Sequence, residues 1–142
     1  MATSEAIDVA ETLRRHPDAF SGGARLIPVQ TAYGRFNVWT KRNGDNPRIK
    51  LLLLHGGPGF DHSSYKPAFS PLADVAQLVY LDHRGNGRSD RGTPAQWNLA
   101  QWGDDVRAFC DALGIERPVV FGNSFGGIVA MAPSTAEPSI RA

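Results

Sequence analysis

The chain is poor in the features that mark most kinds of partner. It has one cysteine, Cys110, which excludes an internal disulfide and a cysteine-built zinc cage and fits a reducing compartment. No apolar run approaches the roughly 18 residues needed to span a membrane. Met1 to His16 lacks the apolar centre of a signal peptide. Charge of one sign is also lacking: 15 Lys and Arg stand against 14 Asp and Glu, a net +1 with a pI near 8.0. Arg14-Arg15 and Lys41-Arg42 are the only adjacent basic pairs, so the basic residues read as solvated surface, and neither nucleic acid nor an anionic membrane is implied as a partner. The four histidines, His16, His55, His62 and His83, follow no metal-binding spacing, and no metal or cofactor is expected. All of them precede Ser124, and the 18 residues after that serine contain none. The expectation is a cytoplasmic protein.

What remains is enough for one folded domain: 142 residues, 42% of them hydrophobic. Residues 1–23 read as a leader, helical from Ile7 to Arg15 and ended by Pro17 and Gly22-Gly23. Residues 24–142 read as a single α/β unit. Leu26 to Gln30 and Arg35 to Lys41 are β-prone runs that form a hairpin around Ala32-Tyr33-Gly34, and the turn chemistry of Asn43 to Pro47 closes it. Ile49 to Leu54, broken only by Lys50, Ala76 to Leu81, broken only by Gln77, and Val119 to Phe121 are apolar runs, the pattern of strands covered on both faces. Between the last two, Leu99, Trp102, Val106, Phe109, Cys110 and Leu113 share one helical face, with Asp104, Asp105, Arg107 and Asp111 largely opposite and Gly114 as the stop. Cys110 belongs to the apolar stripe and reads as a small core residue. The alternation of strand and helix predicts a mostly parallel sheet.

Three of these strands deliver unusual loops to one edge. Gly122-Asn-Ser124-Phe-Gly126-Gly127 follows a strand and opens a helix, the setting of a nucleophile elbow in which glycines flank a serine held in a strained turn. His55-Gly56-Gly57-Pro58-Gly59 offers backbone N–H groups without side-chain bulk, as an oxyanion requires. Gly57 is the first choice of donor there, with Gly56 as a further candidate; the N–H of Phe125, next after the serine, is the second donor. Asp82-His-Arg84-Gly-Asn-Gly-Arg-Ser-Asp90 lacks the third glycine and the following helix of a dinucleotide loop. It reads as a structural turn in which Asp82 and Arg84 satisfy the backbone and each other. His55 and His83 are expected to fix their loops rather than to move protons, and His62 and His16 to lie at the surface.

Together these loops resemble, in order and spacing, the α/β-hydrolase superfamily and within it the prolyl aminopeptidase (proline iminopeptidase) branch, over roughly residues 25–132. The resemblance implies an α/β-hydrolase fold and a serine hydrolase that cleaves a peptide or amide bond through an acyl-enzyme on Ser124. Gly57 and Phe125 would stabilise the oxyanion, and His55, Asp82, Arg84, Gly122, Gly126 and Gly127 would shape the loops. No cofactor is implied. The family places its triad acid and histidine later in the chain, followed by a cap that shapes the pocket. This sequence stops before either, and Pro133 and Pro138 interrupt the helix after Met131. The chain is therefore expected to be a truncated, inactive form with a bare outer edge on its last strand, open to self-association. An esterase or lactonase type of hydrolase, or a non-catalytic interaction module, is the alternative. Phe60, Trp97 and Trp102 stand near the site as either packing or recognition residues.

Overall fold

The computed structural model describes residues 23–132. The leader with its Ile7–Arg15 helix, His16, Pro133 and Pro138 lie outside the described residues. Strands β1 (Ala24–Thr31) and β2 (Gly34–Asn43) form the expected hairpin, in register from Ala24↔Lys41 to Thr31↔Gly34. Gly34 closes the turn at φ +100, a backbone state that L side chains rarely adopt. The Asn43–Pro47 segment does not close this hairpin but leads out of β2 towards β3 (Lys50–Leu54). There the Asn46 side chain accepts from the N–H groups of Arg48 and Ile49 at 2.9 and 2.8 Å.

The five strands lie in the order β1-β2-β4-β3-β5, with β4 at Gln77–Leu81 and β5 at Val119–Gly122. The β2–β4 contact is antiparallel, whereas β3 pairs in parallel with both β4 and β5. Every residue of β4 is buried, and so are Leu52, Leu53 and Leu54 of β3. Their alternate side chains feed two layers. Leu52, Leu54, Val79 and Leu81 pack with Phe36, Val38, Trp102, Phe109 and Val129 on one face; Leu53, Leu78 and Tyr80 pack with Trp39 and Tyr65 on the other.

Helix α1 (Leu99–Leu113) is capped by Asn98, which accepts from the Gln101 N–H at 2.9 Å, and ended by Gly114 at φ 63. Cys110 packs against the core as expected, and burial pushes its thiol pKa up to about 11. Asp105 departs from the expected polar face and is buried beside Gln101. A second departure lies between β3 and β4, where the alternating pattern predicts a crossover helix. The chain instead makes a 3-10 turn at His62–Tyr65, a four-residue helix at Lys66–Phe69 and another 3-10 turn at Ser70–Asp74. Pro67 and Pro71 start the second and third of these, and a proline cannot continue the helix that precedes it.

Strand β5 differs from the other parallel strands. Val119, Val120 and Phe121 are 59%, 43% and 40% exposed, on both faces of the sheet, and Ile128 and Met131 just beyond are exposed as well. The parallel strands β3, β4 and β5 nonetheless end at one edge, where open α/β sheets hold their sites.

Candidate functional site

Ser124 follows β5 and stands immediately before helix α2 (Phe125–Ala130), with φ 52 and ψ −118. A non-glycine residue with positive φ is a strained exception that surrounding packing must enforce. The enforcement is visible in the glycines. A Cβ on Gly122 would lie 2.5 Å from Gly126 C and O, and one on Gly126 would lie 2.0 Å from Leu54 O. Gly127 is tighter than usual but not blocked, 3.2 Å from Gly122 O. Strand, turn and helix approach too closely for side chains, so the Gly-x-Ser-x-Gly spacing is a steric requirement here. The turn is closed by the Gly126 N–H donating to Asn123 O at 3.0 Å and the Ile128 N–H donating to Ser124 O at 3.2 Å.

The glycine loop after β3 faces this serine. A Cβ on Gly56 would meet Asn123 O at 3.4 Å and the Ser124 Cβ at 3.8 Å. Gly57 has φ +117, and a Cβ there would collide with the Gly59 and Phe60 nitrogens at 2.8 and 3.0 Å. Gly56, Gly57, Asp61 and Ser124 line one open cavity of about 590 Å³. Phe60 stands exposed at its mouth. The Asp61 carboxylate accepts from both the hydroxyl and the N–H of Ser63, which hold its pKa below the ordinary value. Phe125, the first residue of α2, is half-buried, edge-on to the rings of Trp102 and His83. Trp102 is a packing residue whose indole donates to Arg84 O at 3.0 Å, whereas Trp97 is partly exposed and donates to Arg91 O at 2.9 Å.

Asp82 and Arg84 do not satisfy each other. Arg84 makes a two-pronged pair with Asp105 of α1, Nε to Oδ2 and Nη2 to Oδ1, both at 2.9 Å. It also donates to Thr31 Oγ1 at 3.1 Å and lies over the Phe36 ring, 3.6 Å from its centroid. The planar guanidinium matches a carboxylate two bonds at a time, and the Asp105 carboxylate, backed by Gln101 at 2.7 Å, offers that geometry where Asp82 does not. Burial raises the Asp105 pKa, while the hydrogen bonds from Arg84 and Gln101 pull it back. Asp82 instead accepts from the His62 N–H at 2.9 Å, His62 Nδ1 at 2.8 Å and the Arg88 N–H at 3.0 Å. Gly87 has no room for a Cβ because Asp82 Oδ2 would lie 2.2 Å from it, which gives that glycine a role without any nucleotide.

His62 is thus not at the surface: it is buried and stacked on Trp39 with ring centroids 3.9 Å apart. Its spacing from Tyr65 was the available signal, since residues three apart eclipse on a 3-10 turn and Tyr65 is buried too. For Asp105 the signal was its place between Gln101 and Phe109, four residues from each and on the buried side of α1.

His55 and His83 lie where loop-fixing residues should. His55 Nδ1 donates to Gly56 O at 2.7 Å, and its Nε2 accepts the His83 N–H at 3.0 Å, which fixes the tautomer of a neutral ring. Burial lowers the pKa of His55, and that of His83 to about 3, with the neighbouring His55 adding to the effect on His83. The unfolded imidazoles protonate near pH 6.5, so below that pH the unfolded state takes up protons that the folded state refuses. Stability is accordingly present above pH 6.5 and lost as pH falls towards 3. Urea midpoints measured from pH 7.5 to 4 are expected to fall steadily, and His83→Leu to flatten that decline. An unchanged decline in the variant would remove His83 as its cause.

Among the described residues no group of three or more His, Cys, Asp or Glu could hold a metal, and no helix is long and apolar enough to cross a membrane.

Residues 50–139 match the family profile described as alpha/beta hydrolase fold. The chain is 42% identical over 111 residues to a proline iminopeptidase of Chitinophaga pinensis, an alignment covering 75% of this chain and 37% of that protein. A proline iminopeptidase-related protein of Thermus thermophilus superimposes with a TM-score of 0.66 at 26% identity, over 78% of this chain and 39% of that one. A thermophilic esterase of Thermogutta terrifontis gives 0.65 at 28% identity, over 76% and 39%. The chain thus spans little more than a third of the length of these relatives.

Proposed function

Because the chain belongs to the alpha/beta-hydrolase family, we propose that its site is that of a serine hydrolase, with Ser124 as nucleophile and a peptide or amide bond as target. The observation that carries this reading is the strained Ser124 turn sharing one cavity with Gly56 and Gly57. Ser124 Oγ would bond to the acyl carbon while the N–H groups of Gly57 and Phe125, with Gly56 beside them, stabilise the oxygen that gains charge. The amine then leaves with the serine proton, and water releases the acid from the acyl-enzyme. Among the described residues no hydrogen bond joins Ser124 to a histidine, and losing the base of such a site typically removes about 10⁶ in turnover. A histidine and an acid outside the described residues are part of the proposal.

Labelling with a fluorophosphonate, which requires a base-activated serine, tests it. The expected result, in the protein isolated from its own cell, is one adduct, mapped to Ser124 and absent in Ser124→Ala. Labelling elsewhere, or none in the protein isolated from its own cell, would remove the serine mechanism. Likeness to the Chitinophaga protein favours an aminopeptidase, and likeness to the Thermogutta protein keeps an esterase in view. An N-terminal prolyl arylamide and a short-chain aryl ester distinguish the two by their kcat/KM ratio.

A non-catalytic interaction module is the second reading, favoured by the apolar β5 edge. Exposed strand edges pair with other chains, so the 142-residue chain is expected to self-associate and Val120→Lys to reduce the associated mass. Equal masses for both proteins in light scattering would count against β5 as the contact.

A further inference from the structure

We infer that Asp82, acting through His62, is the positioning residue of the oxyanion loop; the inference rests on the serine-hydrolase reading above. The Asp82 carboxylate lies at the end of the buried central strand β4 and is itself fully buried. Three donors converge on it from two loops: the N–H and Nδ1 of His62 on Oδ1, and the N–H of Arg88 on Oδ2. Since a carboxylate only accepts, His62 Nδ1 carries a proton, and the ring orientation is fixed from one side by that bond and from the other by the Trp39 stack. A buried carboxylate with three donors is a rigid anchor, because each donor left unpaired there would lose a bond to a charged group.

The anchor is transmitted over a short distance. Gly57 folds so tightly against the Gly59 and Phe60 nitrogens that a Cβ would collide with both. A second tie, from the Gly59 N–H to Asn86 Oδ1 at 2.5 Å, joins the same two loops. The segment from Gly57 to His62 is thus clamped at its far end by Asp82 and cannot shift there without moving the Gly57 N–H. Loss of the clamp misplaces the donor while leaving Ser124 in its own glycine-built turn.

Two substitutions separate the hydrogen bond from the stack. His62→Phe keeps an aromatic ring on Trp39 and loses the bond to Asp82. His62→Asn loses the ring but its amide nitrogen can occupy the Nδ1 position. Hydrogen–deuterium exchange of the peptides covering 55–62 and 82–90 in the whole chain is the first readout, with peptides of α1 as the reference for global stability. The expected result is at least tenfold faster exchange in both loops for His62→Phe, recovery in His62→Asn, and α1 unchanged. The second readout is the rate of fluorophosphonate labelling at Ser124 in the protein isolated from its own cell, expected to fall tenfold to a hundredfold in His62→Phe with the final labelled fraction unchanged, since an oxyanion donor acts on the transition state. Exchange that is unchanged in His62→Phe, or faster only in His62→Asn, would overturn the inference. So would a labelled fraction that falls at constant rate, the mark of a merely structural residue. If the native protein is not labelled at all, the serine-hydrolase reading fails, and the exchange experiment still decides whether Asp82 and His62 hold the loop.

Discussion

A single methyl group on Gly126 is expected to destroy the elbow. The Cβ of Gly126→Ala would stand 2.0 Å from Leu54 O, 2.6 Å from Leu54 C and 2.7 Å from His55 O. These are backbone atoms at the buried end of β3, a strand paired on both sides by β4 and β5, and they cannot rotate away. Either α2 lifts off the sheet, exposing Val129 and unwinding the Ser124 turn, or β3 is displaced from its partners. Both routes belong to the overpacking and backbone-strain mechanisms behind changes above about 4 kcal/mol, a large share of the roughly 5–15 kcal/mol that stabilises a domain. Gly127→Ala is the matched control. Its Cβ would meet Gly122 O at 3.2 Å, a contact that a few tenths of an ångström relieves, and alanine favours a helix over glycine by about 1 kcal/mol. Urea denaturation followed by tryptophan fluorescence should show Gly127→Ala near the parent and Gly126→Ala without a cooperative transition. A Gly126→Ala protein with the parental midpoint would mean that the close approach of α2 to β3 is not required.

Asp105→Ala is expected to destabilise the fold by about 3–5 kcal/mol, the range for removing one member of a buried ion pair. The loss is large because of what stays behind. Arg84 is 2% exposed, wedged over Phe36, and its own carbonyl accepts from the Trp102 indole and from Asn86. Its guanidinium cannot swing out to water without unpacking both. The double substitution Arg84→Met/Asp105→Leu removes both charges at once, and apolar replacements of this kind are often neutral or better. The expected order of stability is therefore parent and double variant together, with Asp105→Ala well below. A mild Asp105→Ala, within about 1 kcal/mol of the parent, would show that solvent reaches Arg84 and that the pair is not buried in solution.

The sequence by itself determined the hairpin, the parallel strands, helix α1 and the elbow. These are local matters: a glycine two residues either side of a serine, a four-residue apolar run such as Leu51 to Leu54, an Asn and a Gly bracketing a helix each constrain the backbone within a few residues. Family membership was legible for the same reason, since three such loops recur in fixed order. Only the tertiary structure decided which polar side chains meet. Arg84 pairs with Asp105 rather than Asp82, and His62 turns inward to Asp82, because a buried charge needs a partner within hydrogen-bond distance, whatever their separation along the chain. Sequence spacing carries no distance between a β4 loop and the second turn of α1. Likewise the apolar run of β5 reads like those of β3 and β4, a strand covered on both faces, and only the structure shows Val119, Val120 and Phe121 exposed on both. Burial is a property of neighbours, and neighbours far apart in sequence are set by packing.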